Sequence, residues 1–152
     1  MILYNVYSYN TFKEEFGMIK LIVGKKGSGK TKAMLDAIAQ AVKDESGNVI
    51  FVCNSNRHML EVTHAARLVD VSGADTETFR LFKTYIMGML SQNYDISHIF
   101  VDSLFKIVPD DNDGLASFVS ELEDISNNAN VKFTICISAD KSELPDSIHK
   151  YI

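Results

Sequence analysis

The segment Gly24-Lys25-Lys26-Gly27-Ser28-Gly29-Lys30-Thr31 constrains the fold of this chain more than any other stretch. Three of its eight residues are glycines, so it favours neither a helix nor a strand interior, and the backbone must turn there. An apolar run, Ile19 to Val23, enters the turn. The stretch that leaves it sets Met34, Ile38, Ala41 and Val42 at helical spacing, with Leu35 and Ala37 widening the stripe. The order is therefore strand, glycine turn, amphipathic helix. This context is what gives the pattern G-x-x-x-x-G-K-[ST], matched here at every fixed position, a chemical meaning.

A polyphosphate carries several negative charges, so its site needs many donors and little side-chain bulk. Gly24, Gly27 and Gly29 let successive N–H groups curl inward as an anion nest. The helix starting near Lys30 adds its unpaired N-terminal donors and the positive end of its dipole. Lys30 is expected to reach the β- and γ-phosphates, and Thr31 to offer its hydroxyl to Mg²⁺. Lys25, Lys26, Ser28 and Lys32 complete the phosphate-binding stretch, the lysines adding positive potential at its mouth.

Beyond the turn, short apolar runs alternate with amphipathic stretches, the pattern of an α/β domain with a mainly parallel sheet. Strands are expected at Val49–Cys53, Arg67–Val71, Ile96–Val101 and Val131–Ser138. Helices are expected over 58–66, from Thr76 to Ser91, after the acidic turn Pro109–Gly114, and from Pro145. Five strands covered by helices result. Residues 18–152 form one nucleotide-binding domain, its core starting at Met18. Residues 1–17 read as an extension, an arm or a mis-set start, with a docked edge strand as the alternative.

A triphosphate site also needs a carboxylate at the end of a nearby strand to hold Mg²⁺. Ile99-Phe100-Val101-Asp102 has that form, about 70 residues beyond the loop. Asp70 is the runner-up, on a shorter strand flanked by charge. Ser103 follows Asp102, where many hydrolytic ATPases place a Glu that polarises the attacking water. A base must then come from elsewhere, or hydrolysis is slow. Asn54, Arg57, Glu61 and Asp140 are the polar residues that a parallel sheet brings towards its strand C-termini, where ligands collect.

The 152 residues suit one domain, and 46% hydrophobic with 23% charged residues suits a globular core. A net charge of -5 argues against a nucleic-acid partner. No run reaches the roughly 20 apolar residues of a membrane span. Cys53 and Cys136 lie inside apolar runs and read as reduced core residues of a cytoplasmic protein. His58, His64, His98 and His149 have no metal-site spacing. The guanine-reading element Asn-Lys-x-Asp is absent, which favours adenine.

At these residues the chain resembles the P-loop NTPase superfamily, from Met18 to Asp140. Met18–Thr31, Asn48–Val52 and Ile99–Asp102 are similar to small bacterial ATP-binding proteins often labelled twitching-motility-type ATPases. The resemblance implies a three-layer α/β/α, RecA-like core with a five-stranded sheet. It implies Lys30 and Thr31 on phosphate and Mg²⁺, with Asp102 at the metal. RecA-like domains often form homo-oligomers in which a neighbour supplies an arginine, a role open to Arg57, Arg67 or Arg80.

Three readings follow. The first is an ATP-binding, Mg-dependent ATPase of regulatory or accessory type, with a protein partner that the sequence does not name. The second is a nucleoside or small-molecule kinase, since the element order also resembles thymidine-kinase-type enzymes. That reading needs a lid, for which Ser103–Gly114 is the best candidate, and the chain lacks those enzymes' Asp-Glu and four-cysteine zinc lobe. The third is a non-hydrolysing, nucleotide-gated interaction module, motivated by Ser103.

Overall fold

A computed structural model describes residues 18–55, 65–109 and 112–152. Strands β1 (Ile19–Gly24), β2 (Asn48–Cys53), β3 (Ala66–Asp70), β4 (Ile96–Val101) and β5 (Lys132–Ser138) form one sheet of order β1-β5-β4-β2-β3. Every pairing is parallel. The helices are α1 (Lys30–Asp44), α2 (Phe79–Gln92), α3 (Leu104–Ile107) and α4 (Asn112–Ala129). Two 3₁₀ turns, Lys141–Glu143 and Asp146–Tyr151, close the chain.

Side-chain alternation along the strands divides the core into two layers. Ile50, Val52, Ile99, Val101, Phe133, Ile135 and Ile137 are buried with Phe79, Phe82 and Ile86 of α2 and Leu115, Phe118 and Leu122 of α4. Val49, Phe51, Cys53, Phe100 and Cys136 face the other way, against Met34, Ile38 and Ala41 of α1. Three layers result: α2 and α4, the sheet, and α1. Phe118 stacks on Phe79 with ring centroids 4.7 Å apart, locking α2 to α4.

The expected strands stand within a residue or so of their sequence ranges. Two helical expectations are corrected. The second helix starts at Phe79 rather than Thr76, because the Thr78 hydroxyl accepts the Leu81 N–H at 3.1 Å and caps it there. Thr76 is itself buried ahead of that cap. The stretch from Ser103 is not the free lid that the kinase reading requires. It contains α3, whose Leu104 and Ile107 are buried in the core. The expectations for residues 1–17 and for a helix over 58–66 fall outside the described residues, apart from Ala65 and Ala66. Ala66 already belongs to β3. Among the described residues, no helix is long and apolar enough to cross a membrane.

Candidate functional site

Because all five strands run parallel, their C-terminal ends open on one edge of the sheet. β1 ends at Gly24 and gives way to the glycine turn. Ser28 N–H donates to the Lys25 carbonyl at 3.1 Å, which folds the turn tightly. Gly27 and Gly29 adopt φ values of 85° and 88°, in the left-handed region that a side chain disfavours. Gly24 is constrained differently: a Cβ there would stand 2.4 Å from the Ser28 Oγ.

Gly29 is the N-cap residue of α1 and supplies no side-chain cap. The first N–H groups of α1 therefore lack the acceptor that Thr78 gives α2. An uncapped N-terminus at the end of a glycine nest is the donor arrangement that suits phosphate oxygens. Beneath it the Cys136 thiol reaches the Lys30 carbonyl at 3.9 Å. Burial pushes that thiol up to about 12 and also raises Cys53, so both are protonated packing groups rather than nucleophiles.

The order β1-β5-β4 puts one strand between the glycine turn and the end of β4. Two strand spacings separate them, roughly 10 Å, enough to leave a cleft between the two walls. That cleft has a volume of about 520 Å³ and is lined by Lys26, Gly27, Gly29, Lys30, Thr31, Asp102, Ser103, Lys106 and Ser138. Asp102 follows β4, buried, with its N–H on the Val52 carbonyl at 2.9 Å. The Ser103 hydroxyl donates to Asp102 Oδ1 at 3.2 Å. The Lys30 ammonium donates to the Lys25 carbonyl at 2.8 Å. An ammonium has three donors, so this contact leaves capacity for a phosphate oxygen.

The remaining sequence candidates divide clearly. Gly24, Lys25 and Ser28 shape the turn without lining the cleft, and the exposed Lys32 lies 3.9 Å from Asp36 along α1. Asp70 ends β3, two strands beyond β4, and its carboxylate accepts the Ser72 N–H at 2.9 Å. Asp140 caps the first 3₁₀ turn through Ser142, whose hydrogen bonds hold its carboxyl below the usual range. Asn54 donates to the Lys106 carbonyl at 2.8 Å. Arg67 and Arg80 are exposed, while Arg57 and Glu61 lie outside the described residues.

Lys106 and Ser138 are the cleft residues that sequence reasoning missed. Ser138 had a usable signal, since it ends the expected strand Val131–Ser138; the sheet then pairs it with Gly24. Lys106 had none, because its place depends on how α3 docks. No cluster of three or more His, Cys, Asp or Glu suited to a metal occurs among the described residues. A cation here would be held by Thr31, Asp102 and phosphate oxygens together, the oxygen-rich set that Mg²⁺ prefers.

The fold is similar to that of the crystal structure of the flagellar accessory protein FlaH from Methanocaldococcus jannaschii. The TM-score is 0.51 at 17% identity, over 92% of this chain and 71% of FlaH. The chain has a RecA-like, P-loop NTPase-like fold. At that identity the likeness is one of fold alone. No protein-family model matches the chain, and no curated protein matches it by sequence.

Proposed function

We propose that this chain binds Mg-ATP in the cleft between the glycine turn and Asp102, and hydrolyses it slowly in a regulatory or accessory role. The observation that carries this reading is the meeting of Lys30, Thr31 and Asp102 in one cleft beside an uncapped helix N-terminus. Gly27 and Gly29 hold the nest open, and the α1 dipole and Lys30 neutralise phosphate charge. Thr31 and Asp102 would hold a divalent cation, which when bound would supply charge neutralisation at the phosphate oxygens. Ser103 and Ser138 supply hydroxyls at the cleft, and neither is a strong base. Slow turnover is the reading that these described cleft residues support.

An accessory role fits the name of the structurally similar FlaH and the resemblance to twitching-motility-type ATPases. The experiment is a calorimetric titration with Mg-ATP. Micromolar or tighter binding by the wild type, lost in Lys30→Ala while the circular dichroism spectrum is kept, is the expected result. No Mg-ATP affinity in the folded wild type would sink the reading.

The contact of Ser103 with Asp102 supports a second reading, a nucleotide-gated interaction module that does not turn over. Tight binding with release of phosphate no faster than from free Mg-ATP would favour it over the slow ATPase.

A further inference from the structure

The far wall of the cleft carries a lysine with no assigned task. α3 follows Asp102 and Ser103 directly, and burial of Leu104, Ile107 and the adjoining Val108 fixes which way it faces. The position left over is Lys106, exposed and lining the same cleft as Lys30, Thr31 and Asp102. Its backbone is held at both groups. The N–H donates to the Ser103 carbonyl at 2.9 Å, and its own carbonyl accepts from Asn54 at 2.8 Å. The Asn54 contact ties α3 to the C-terminal end of β2. Among the described residues no ion pair engages the Lys106 ammonium, whereas Lys30 is turned onto its own loop.

We infer that Lys106 is the group that distinguishes a nucleoside triphosphate from a diphosphate, by meeting the terminal phosphate from the wall opposite the glycine turn. The inference rests on the Mg-ATP reading above. The glycine nest serves phosphates that ATP and ADP share, and Lys30 meets the β-phosphate of both while reaching the γ-phosphate only from the side of the glycine turn. A cation on the opposite wall gains an interaction only when a third phosphate extends across the cleft. Lysine suits the task, being a point charge on a flexible four-carbon stem carried by a backbone that is tied down. Asn54 is then a positioning residue: it holds the α3 backbone and does not itself touch phosphate.

The test is a pair of titrations, Mg-ATP and Mg-ADP, on the wild type, Lys106→Met and Lys106→Arg. Met keeps the stem and removes the charge, at an exposed position where folding is not at stake. The wild type is expected to bind ATP more tightly than ADP. Lys106→Met should weaken ATP by about tenfold or more and ADP by less than about twofold, erasing most of the preference. Lys106→Arg should keep it. Asn54→Ala should lower the ATP preference partially, again sparing ADP. Equal losses for both nucleotides, no loss for either, or a wild type without preference would overturn the inference while leaving Mg-ATP binding intact. A folded wild type that binds neither nucleotide would remove the Mg-ATP reading and this inference together.

Discussion

The hydroxyl of Ser103 is turned back onto Oδ1 of Asp102 at 3.2 Å, from a backbone held at φ 53°. That left-handed conformation costs an L residue about 1 kcal/mol, and glycine nothing. Glycine loses more chain entropy on folding, which offsets part of the gain. Ser103→Gly should therefore leave the stability in urea unchanged, or raise it by up to about 0.5 kcal/mol. A clear loss would mean that the hydroxyl contact with Asp102 contributes more than the strain removes.

Asp102→Asn separates charge from shape at the same point. Asn still accepts from Ser103, and its backbone N–H still reaches the Val52 carbonyl. The charge that would hold a divalent cation is gone. ATP affinity measured with and without Mg²⁺ should show the difference. The magnesium-dependent gain of the wild type is expected to fall by about tenfold or more, with the magnesium-free affinity kept. An unchanged magnesium dependence would remove Asp102 from the cation site.

Gly24 and Gly29 are required for different reasons, and a double-mutant cycle tells them apart. At Gly24 the obstacle is a neighbour, the Ser28 Oγ at 2.4 Å from an added Cβ. At Gly29 the obstacle is the backbone itself, at φ 88° with nothing near an added Cβ. Gly29→Ala should cost about 1–2 kcal/mol whatever stands at 28. The cost of Gly24→Ala should shrink when Ser28→Ala is also present, giving a coupling energy of at least about 0.5 kcal/mol. Additive effects at 24 and 28 would contradict the contact.

Most of the sheet was legible because each strand is a short apolar run bounded by turn residues, and Gly24-to-Thr31 carries its own context. What escaped depends on tertiary order. The four residues of α3 are too few to show a period, so Leu104 and Ile107 read as loop. The apolar run ahead of Asp102 already favoured it over Asp70, but the strand order β1-β5-β4 that brings Asp102 into one cleft with Lys30 is not encoded locally. At the end of β5 the charged Asp140 drew the eye, yet it folds back as a cap and Ser138 lines the cleft. His98 read only as a histidine without metal-site spacing, because its partner Glu45 is 53 positions away.

That partnership predicts how stability depends on pH. His98 Nδ1 stands 3.0 Å from Glu45 Oε2, and Nε2 stands 2.8 Å from the Thr134 hydroxyl. The Lys132 ammonium lies 3.0 Å from Glu45 Oε1, and the imidazole stacks on Phe100 at 4.0 Å. A neutral ring donating from Nδ1 and accepting at Nε2 satisfies every partner. Burial, reinforced by the Lys132 charge, disfavours the imidazolium more than Glu45 favours it, so His98 lies below its ordinary 6.5. For Glu45, burial works against ionisation, but His98 and Lys132 outweigh it and hold the carboxyl below its ordinary 4.5. Both folded values are depressed, so in each window the unfolded chain binds more protons and acid favours unfolding. The His98 contribution is complete above 6.5 and is lost as pH falls from there towards its folded value. The Glu45 contribution is complete above 4.5 and is lost below it. Urea unfolding followed from about pH 7.5 to about pH 4 should show stability falling in two stages. His98→Gln should flatten the upper stage and shrink the lower one, leaving the part that Lys132 sustains. If the variant and the wild type lose stability in parallel just below pH 6.5, the titrating group is not His98.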